Sequence, residues 1–398
     1  MGHYQQQTGK SMYKIKTYNA ISPLGLDRLT TEGYEVGEDI NEPDAIMLRS
    51  FKLHDVPVAN SVKAVGRAGA GVNNIPLDKM SERGIVVFNA PGANANAVKE
   101  LVIAGMLMAC RNLIAAWQYT TQLSGSDDEV AKAVEEGKKK FAGYELPGKT
   151  LGVIGLGAIG AQVANAAEAL GMKVIGYDPS ITVHHAWQLS ASVQKMDSAD
   201  ELFAEADFVT FHVPLIDATR NMLNADTLSH MKPGAVVLNF ARDGIVNDTD
   251  VLAAINAGQI GAYVCDFPTT ELQGNDRVIT LPHLGASTVE AEDNCAVMIA
   301  EQLKDYLQNG NIRNSVNFPN IKLARREGYR LAIANKNQPD MLAKISHQLG
   351  ESGLNIKHMA NESRKELAYT LIDTDLEPSA ETLTKITAID GVLSVRLV

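Results

Sequence analysis

The sequence predicts an α/β protein with two parallel-sheet parts, at least one doubly wound, and a C-terminal βαββαβ module. Three observations predict it. Short apolar runs alternate with longer helical stretches; a glycine-rich turn joins one such run directly to a helix; and from Tyr329 the order changes to strand, helix, two strands, helix, strand.

In chain order, Ala45 to Leu48, Ala64 to Val65 and Ile85 to Phe88 read as strands of a small, flavodoxin-like α/β unit. Pro91-Gly92 punctuates the chain, and a helix from Asn94 to about Asn112 is expected to bridge two domains. Six further runs are strand-like: Thr150 to Ile154, Lys173 to Tyr177, Phe208 to His212, Ala235 to Asn239, Gly261 to Cys265 and Val278 to Leu281. Their spacing implies parallel crossovers and a doubly wound sheet. A helix from Thr288 to Asn309 returns the chain to the first unit, which makes that domain discontinuous. The expected boundaries are 1–92 with 289–320, then 93–288, then 326–398. The tail, with helices at Asp340 to Ser352 and Ala380 to Ala388, reads as a complete ferredoxin-like module, separable from the rest.

At 398 residues, with 45% hydrophobic and 21% charged side chains, the chain is globular and long enough for two or three domains. A formal charge of −11 disfavours binding to nucleic acid. Lys138 to Lys140 form the one cationic run and read as a solvated face. Cys110, Cys265 and Cys295 are too few and too scattered for a disulfide framework, so a reducing, cytoplasmic setting is expected. The apolar run Leu101 to Cys110 is too short to span a membrane, and the polar start Met1 to Lys10 has no signal-peptide core. No metal site is expected.

Gly155-x-Gly157-x-x-Gly160 directly follows a strand and opens a helix, with Ala158 and Ile159 between the last two glycines. This is the Rossmann context: the first glycine permits a tight turn, the second lets the backbone approach a pyrophosphate, the third lets helix and strand pack, and the helix N-terminus attracts the anion. Asp178 ends the next strand, where a carboxylate accepts from both ribose hydroxyls and repels a 2′-phosphate, which favours NAD over NADP. His212-Val213-Pro214 closes another strand at the same sheet edge and could wall the adenine; a strand-end histidine such as His212 is, taken alone, more often structural.

Oxidising a hydroxy acid requires a cation for the carboxylate, a base for the hydroxyl proton and a group that orients the base. Arg242, Glu271 and His283 each follow a predicted strand. With them stand Asn239 to Gly244, Asp266-Phe267-Pro268, Pro282 to Thr288, Gly66 to Asn74 and Asn89 to Asn94, and jointly these segments resemble the D-isomer-specific 2-hydroxyacid dehydrogenases over nearly the whole chain. The resemblance implies that Arg242 forks onto the substrate carboxylate, that His283 takes the hydroxyl proton and that Glu271 hydrogen-bonds His283. It also implies that Asp266 meets the nicotinamide amide, with Ala241 among the cofactor contacts. Counted from Gly261 the family glutamate falls on Thr270; counted from Asp266-Phe267-Pro268 it falls on Glu271.

Within the family, the resemblance is strongest to members that oxidise 3-phosphoglycerate. It implies that Arg49, Ser50, Arg67, Ala70, Gly71 and Asn73 face the substrate's carboxylate or phosphate end. Arginine matches phosphate bidentately, though Arg49 and Arg67 read equally as structural. The tail resembles an ACT domain, an amino-acid-binding regulatory module, which implies L-serine as effector at Asn337 and Asn355. Two departures stand there: Asn335 where a histidine is common, and Asp340 where a glycine is common. A homotetramer is expected. Two other readings stay open: a glyoxylate, hydroxypyruvate or 2-oxoglutarate reductase using the same residues, and a non-catalytic dinucleotide-sensing scaffold.

Overall fold

Apolar runs without polar alternation form strands that are buried on both faces, and parallel sheets follow from the helices that cover them. The structure, a computed structural model, describes residues 13–398, and the polar start lies outside the described residues. The chain divides into two compact units, the second being Asn94–Ala291 and the first comprising the segments on either side of it.

The first unit contains a parallel sheet in the order Glu35–Gly37, Lys14–Tyr18, Ala45–Leu48, Ala64–Arg67, Val86–Phe88. In chain order this is 2-1-3-4-5, the flavodoxin-like arrangement, with Arg49 and Arg67 at the carboxyl ends of neighbouring strands. Strand Ala45–Leu48 is buried at every residue, as its unbroken apolar run requires. Helix Val289–Asn309 packs Ala296, Ile299, Ala300 and Leu303 into the same core as Ile15, Met47 and Phe88.

The tail belongs to this unit. Its four antiparallel strands lie in the order Ile356–Arg364, Leu367–Thr374, Tyr329–Lys336, Val392–Leu397, the ferredoxin-like topology. One face, Leu331, Ile333 and Ile372, covers the helices Met341–Glu351 and Ala380–Thr387. The alternate face, Ala332, Ala334, Tyr369 and Leu371, joins the core built by Tyr306, Leu307 and Phe318. Period-two alternation therefore buries the sheet on both faces. Arg330, fully buried, adds a fixed joint: its guanidinium pairs with both oxygens of Asp373 at 2.6 and 2.8 Å and donates to the carbonyls of Asn309, Leu323 and Ala324.

The second unit holds seven parallel strands in the order Val278–Thr280, Ile260–Cys265, Ala235–Asn239, Phe208–Phe211, Thr150–Ile154, Lys173–Tyr177, Gln194–Lys195. The order reverses between Thr150–Ile154 and Phe208–Phe211, which places the ligand crevice of such sheets there. Helix Ala95–Cys110 buries Val98, Val102, Met106 and Cys110 in this unit's core along its apolar stripe. Two helices that the sequence reading left out follow it, Leu113–Thr121 and Asp127–Gly137, the latter opened by a capping box of Ser126 and Glu129. Among the described residues no single helix is long and apolar enough to cross a membrane.

Candidate active site

Strand Thr150–Ile154 ends in Gly155, whose φ of +88° and a His212 carbonyl oxygen 2.6 Å from the position of any Cβ both require glycine. At Gly160 a Cβ would stand 1.9 Å from the Gly155 carbonyl oxygen, so contact alone excludes a side chain. Gly157 is different: nothing lies within 4 Å of its Cβ position. It caps helix Ala158–Ala169 without any side-chain hydrogen bond, so the first-turn N–H groups remain open to an anion. Asp178 accepts from Leu156 N (2.9 Å) and Ser180 N (2.8 Å), one oxygen each, and ties the turn to the next strand. Each carboxylate oxygen keeps lone-pair capacity for a ribose hydroxyl.

Across the switch point, Val213 and the His212 carbonyl abut Gly155, while Pro214 continues the segment outward. The His212 ring is 3.0 Å from the Thr210 hydroxyl through Nε2, its Nδ1 is buried without a partner, and burial pushes its pKa down to about 3. The imidazole is therefore neutral and structural in character.

Three adjacent strands carry the remaining groups. Beyond Ala235–Asn239, the Asn239 side chain accepts from Ala241 N (3.2 Å) and donates to the Arg242 carbonyl (2.9 Å), which shapes the turn that presents Arg242. The guanidinium is exposed and, among the described residues, donates to the Ala241 carbonyl. Beyond Ile260–Cys265, Asp266 is 1% exposed; one oxygen accepts from Gly285 N at 3.1 Å and the other is buried without a partner. Burial raises its carboxyl pKa, against the Gly285 N–H and the charge of His283. Beyond Val278–Thr280, His283 holds φ at +47°, donates its N–H to the Asp266 carbonyl and sets its ring edge-on to Phe267 at 5.1 Å. A left-handed histidine is a strained choice for a non-glycine residue and leaves the ring exposed.

The structure does not bring Glu271 to His283. Among the described residues no hydrogen bond or ion pair joins them, and Glu271 is exposed, with its charge felt by Asp248. The reason is local: its neighbour Leu272 is buried in the core at 1% exposure, which pins the loop and turns Glu271 outward. Thr270 is exposed as well. The carboxylate whose contacts reach the His283 segment is that of Asp266. Its unpartnered oxygen, the open Gly157 backbone and the uncapped helix together fit a dinucleotide.

In the first unit, Arg49 follows strand Ala45–Leu48. Its carbonyl accepts from Arg67 Nε (3.0 Å) and Asn74 Nδ2 (3.1 Å), and its guanidinium pairs with Glu292 at 2.6 Å. Gly69, at φ +159°, folds its loop onto Arg67, whose Nη1 lies 2.2 Å from the Cβ position. Asn89 donates to the Ala70 carbonyl at 2.6 Å, fixing Ala70-Gly71, whereas Ser50 and Asn73 are exposed. The sequence reading missed Asn74, Asn89, Glu292 and the role of Asn239. An asparagine beside a strand end is the signal that could have found three of them.

On the tail, Asn335 is buried at a bulge of its strand and donates to the Lys336 carbonyl, with Oδ1 unpartnered. Asn337 closes the neighbouring loop on the Lys365 carbonyl, and Asn355 is exposed. Asp340 sits at φ +67°, so the residue that departs from the common glycine still takes the backbone conformation a glycine would supply.

A family model described as D-isomer specific 2-hydroxyacid dehydrogenase, NAD binding domain, matches residues 103–285. The chain is 32% identical to a D-3-phosphoglycerate dehydrogenase of Haemophilus influenzae over 98% of both chains, and equally to one of Escherichia coli K12. It is 37% identical to a D-3-phosphoglycerate dehydrogenase of Synechocystis over 78% of this chain and 57% of that one, so it spans little more than half the length of that relative. Among solved structures, an NAD+-bound 3-phosphoglycerate dehydrogenase of Entamoeba histolytica aligns with a TM-score of 0.59 and 25% identity, covering 77% of this chain and 99% of that one.

Proposed function

We propose, from the premise that the chain belongs to the D-isomer specific 2-hydroxyacid dehydrogenase family, that it is an NAD-dependent enzyme oxidising 3-phospho-D-glycerate to 3-phosphohydroxypyruvate. The observation that supports this most is the exposure of Arg242 and His283 beyond strands that flank the one ending at Asp266, whose buried oxygen lacks a donor.

In this reading the Arg242 guanidinium holds the substrate carboxylate and polarises C2. The His283 imidazole takes the C2 hydroxyl proton, and C2 becomes a carbonyl carbon. The chemistry a nicotinamide would supply here is acceptance of the hydride from C2. The unpartnered oxygen of Asp266 would accept a carboxamide N–H and so help hold the cofactor. In the first unit Arg49 and the Arg67 to Gly71 loop serve the phosphate end. Glu271 takes no part in the pair, so Glu271→Gln should leave the acidic limb of the pH profile where it is.

The test is NADH-dependent reduction of 3-phosphohydroxypyruvate followed by absorbance. Rapid turnover that falls about 10²- to 10⁴-fold in His283→Asn supports the assignment; turnover confined to unphosphorylated 2-oxo acids would transfer the reading to a reductase of the same chemistry. L-serine binding at Asn337 and Asn355, a homotetramer and a cytoplasmic setting belong to the same proposal. Millimolar serine in the assay tests the first, and sedimentation tests the second.

A further inference from the structure

We infer that Glu292 is the resident counter-anion of Arg49 and sets how strongly, and how selectively, the first unit holds the anionic end of the substrate. The inference rests on the dehydrogenase reading for its substrate, but its geometry belongs to this unit alone. Arg49 Nη2 and Glu292 Oε1 are 2.6 Å apart, with side chains 37% and 42% exposed, so a dissolved anion can reach the pair and compete for it.

Both partners stand on fixed roots. The Arg49 carbonyl is held by Arg67 and Asn74, at the carboxyl edge where ligands of such sheets bind. Glu292 lies on helix Val289–Asn309, whose next residue, Asp293, accepts from the Ser22 hydroxyl and whose Ala296 and Ile299 are buried in the core. Burial raises the pKa of the Cys295 thiol on the same helix, with the charges of Arg67 and Arg49 opposing and that of Glu292 adding to it.

Charge then decides selectivity. Paired with Glu292, the Arg49 guanidinium offers an incoming anion little net charge. A phosphate monoester carries about −1.5 to −2 at neutral pH, and it is matched only when Glu292 gives up Arg49. The carboxylate thus costs a dianion more than it costs a monoanion. Exposed charge pairs are worth little, so the effect is modest.

The experiment compares the full-length chain with Glu292→Gln, Arg49→Gln and the double variant, using 3-phosphohydroxypyruvate and hydroxypyruvate at saturating NADH. Glu292→Gln is expected to lower KM for the phosphorylated acid about two- to fivefold, by the usual worth of such a pair, with a smaller change for the unphosphorylated one and the gain falling on KM rather than kcat. In the Arg49→Gln background the same substitution should do nothing. A KM that rises or stays put, or an equal gain without Arg49, overturns the inference. A parallel arm reads thermal stabilisation by inorganic phosphate, where Glu292→Gln should move the half-saturating concentration down by a similar factor. If the wild type turns over none of these acids, the dehydrogenase reading fails, and an unmoved phosphate midpoint would still refute the role of Glu292.

Discussion

Asp266 carries a buried carboxylate oxygen that has no hydrogen-bond donor among the described residues. Leaving such a group unsatisfied costs about 1–3 kcal/mol, which an incoming amide donor would offset. Asp266→Ala should therefore weaken NADH binding about tenfold or more, as read by fluorescence titration, and also lower the melting temperature because the buried Gly285 N–H loses its acceptor. Asn239 acts through Arg242: its two hydrogen bonds shape the turn, so Asn239→Ala should raise KM for the oxo acid while NADH affinity holds. His212 yields a pH prediction. Its pKa falls from the ordinary 6.5 to about 3, so the unfolded chain takes up the proton first. The stability of the neutral, buried ring is complete above pH 6.5 and is lost as pH falls toward 3, at about 1.4 kcal/mol per pH unit. Urea unfolding at pH 7 and pH 5 should show that slope in the wild type and a shallower one in His212→Gln.

At the scale of elements, the glycine turn separates packing from ligand approach. Gly160→Ala forces a Cβ to within 1.9 Å of a carbonyl oxygen and should lower the melting temperature. Gly157→Ala meets nothing within 4 Å, so the fold should tolerate it while NADH binding drops. Equal melting losses in both variants would contradict this division. The turn was legible because three glycines follow an apolar strand, and each has a physical reason to lack a side chain. The helices Leu113–Thr121 and Asp127–Gly137 were not read: the first has no buried residue, so its apolar residues follow no core-facing stripe, and the second is marked only by its capping box.

For the whole molecule, the tail is joined to the first unit by a shared core and by Arg330, whose partners include the far end of helix Val289–Asn309 and the connecting segment. Breaking a buried pair leaves an uncompensated charge, so Asp373→Ala should cost about 3–5 kcal/mol, read by denaturant unfolding of the full chain. The loss should appear in one transition shared by the tail and the first sheet. A separate, early tail transition would show that the two fold independently.

The sequence by itself determined the parallel α/β class of the two larger sheets, the nucleotide turn, the placing of Arg242 and His283 just beyond strand ends, and the βαββαβ tail, since these depend on local periodicity and on side chains that only certain backbone angles allow; the order of the strands in each sheet came from the tertiary structure. Only the tertiary structure decided that Glu271 turns away from His283, that Glu292 occupies Arg49, that Asn335 is buried and that the tail shares a core with the first unit. Those outcomes depend on which residues distant in the chain meet. The pinning of one loop by Leu272, or the second buried face of a sheet, has no signature in the residues beside it.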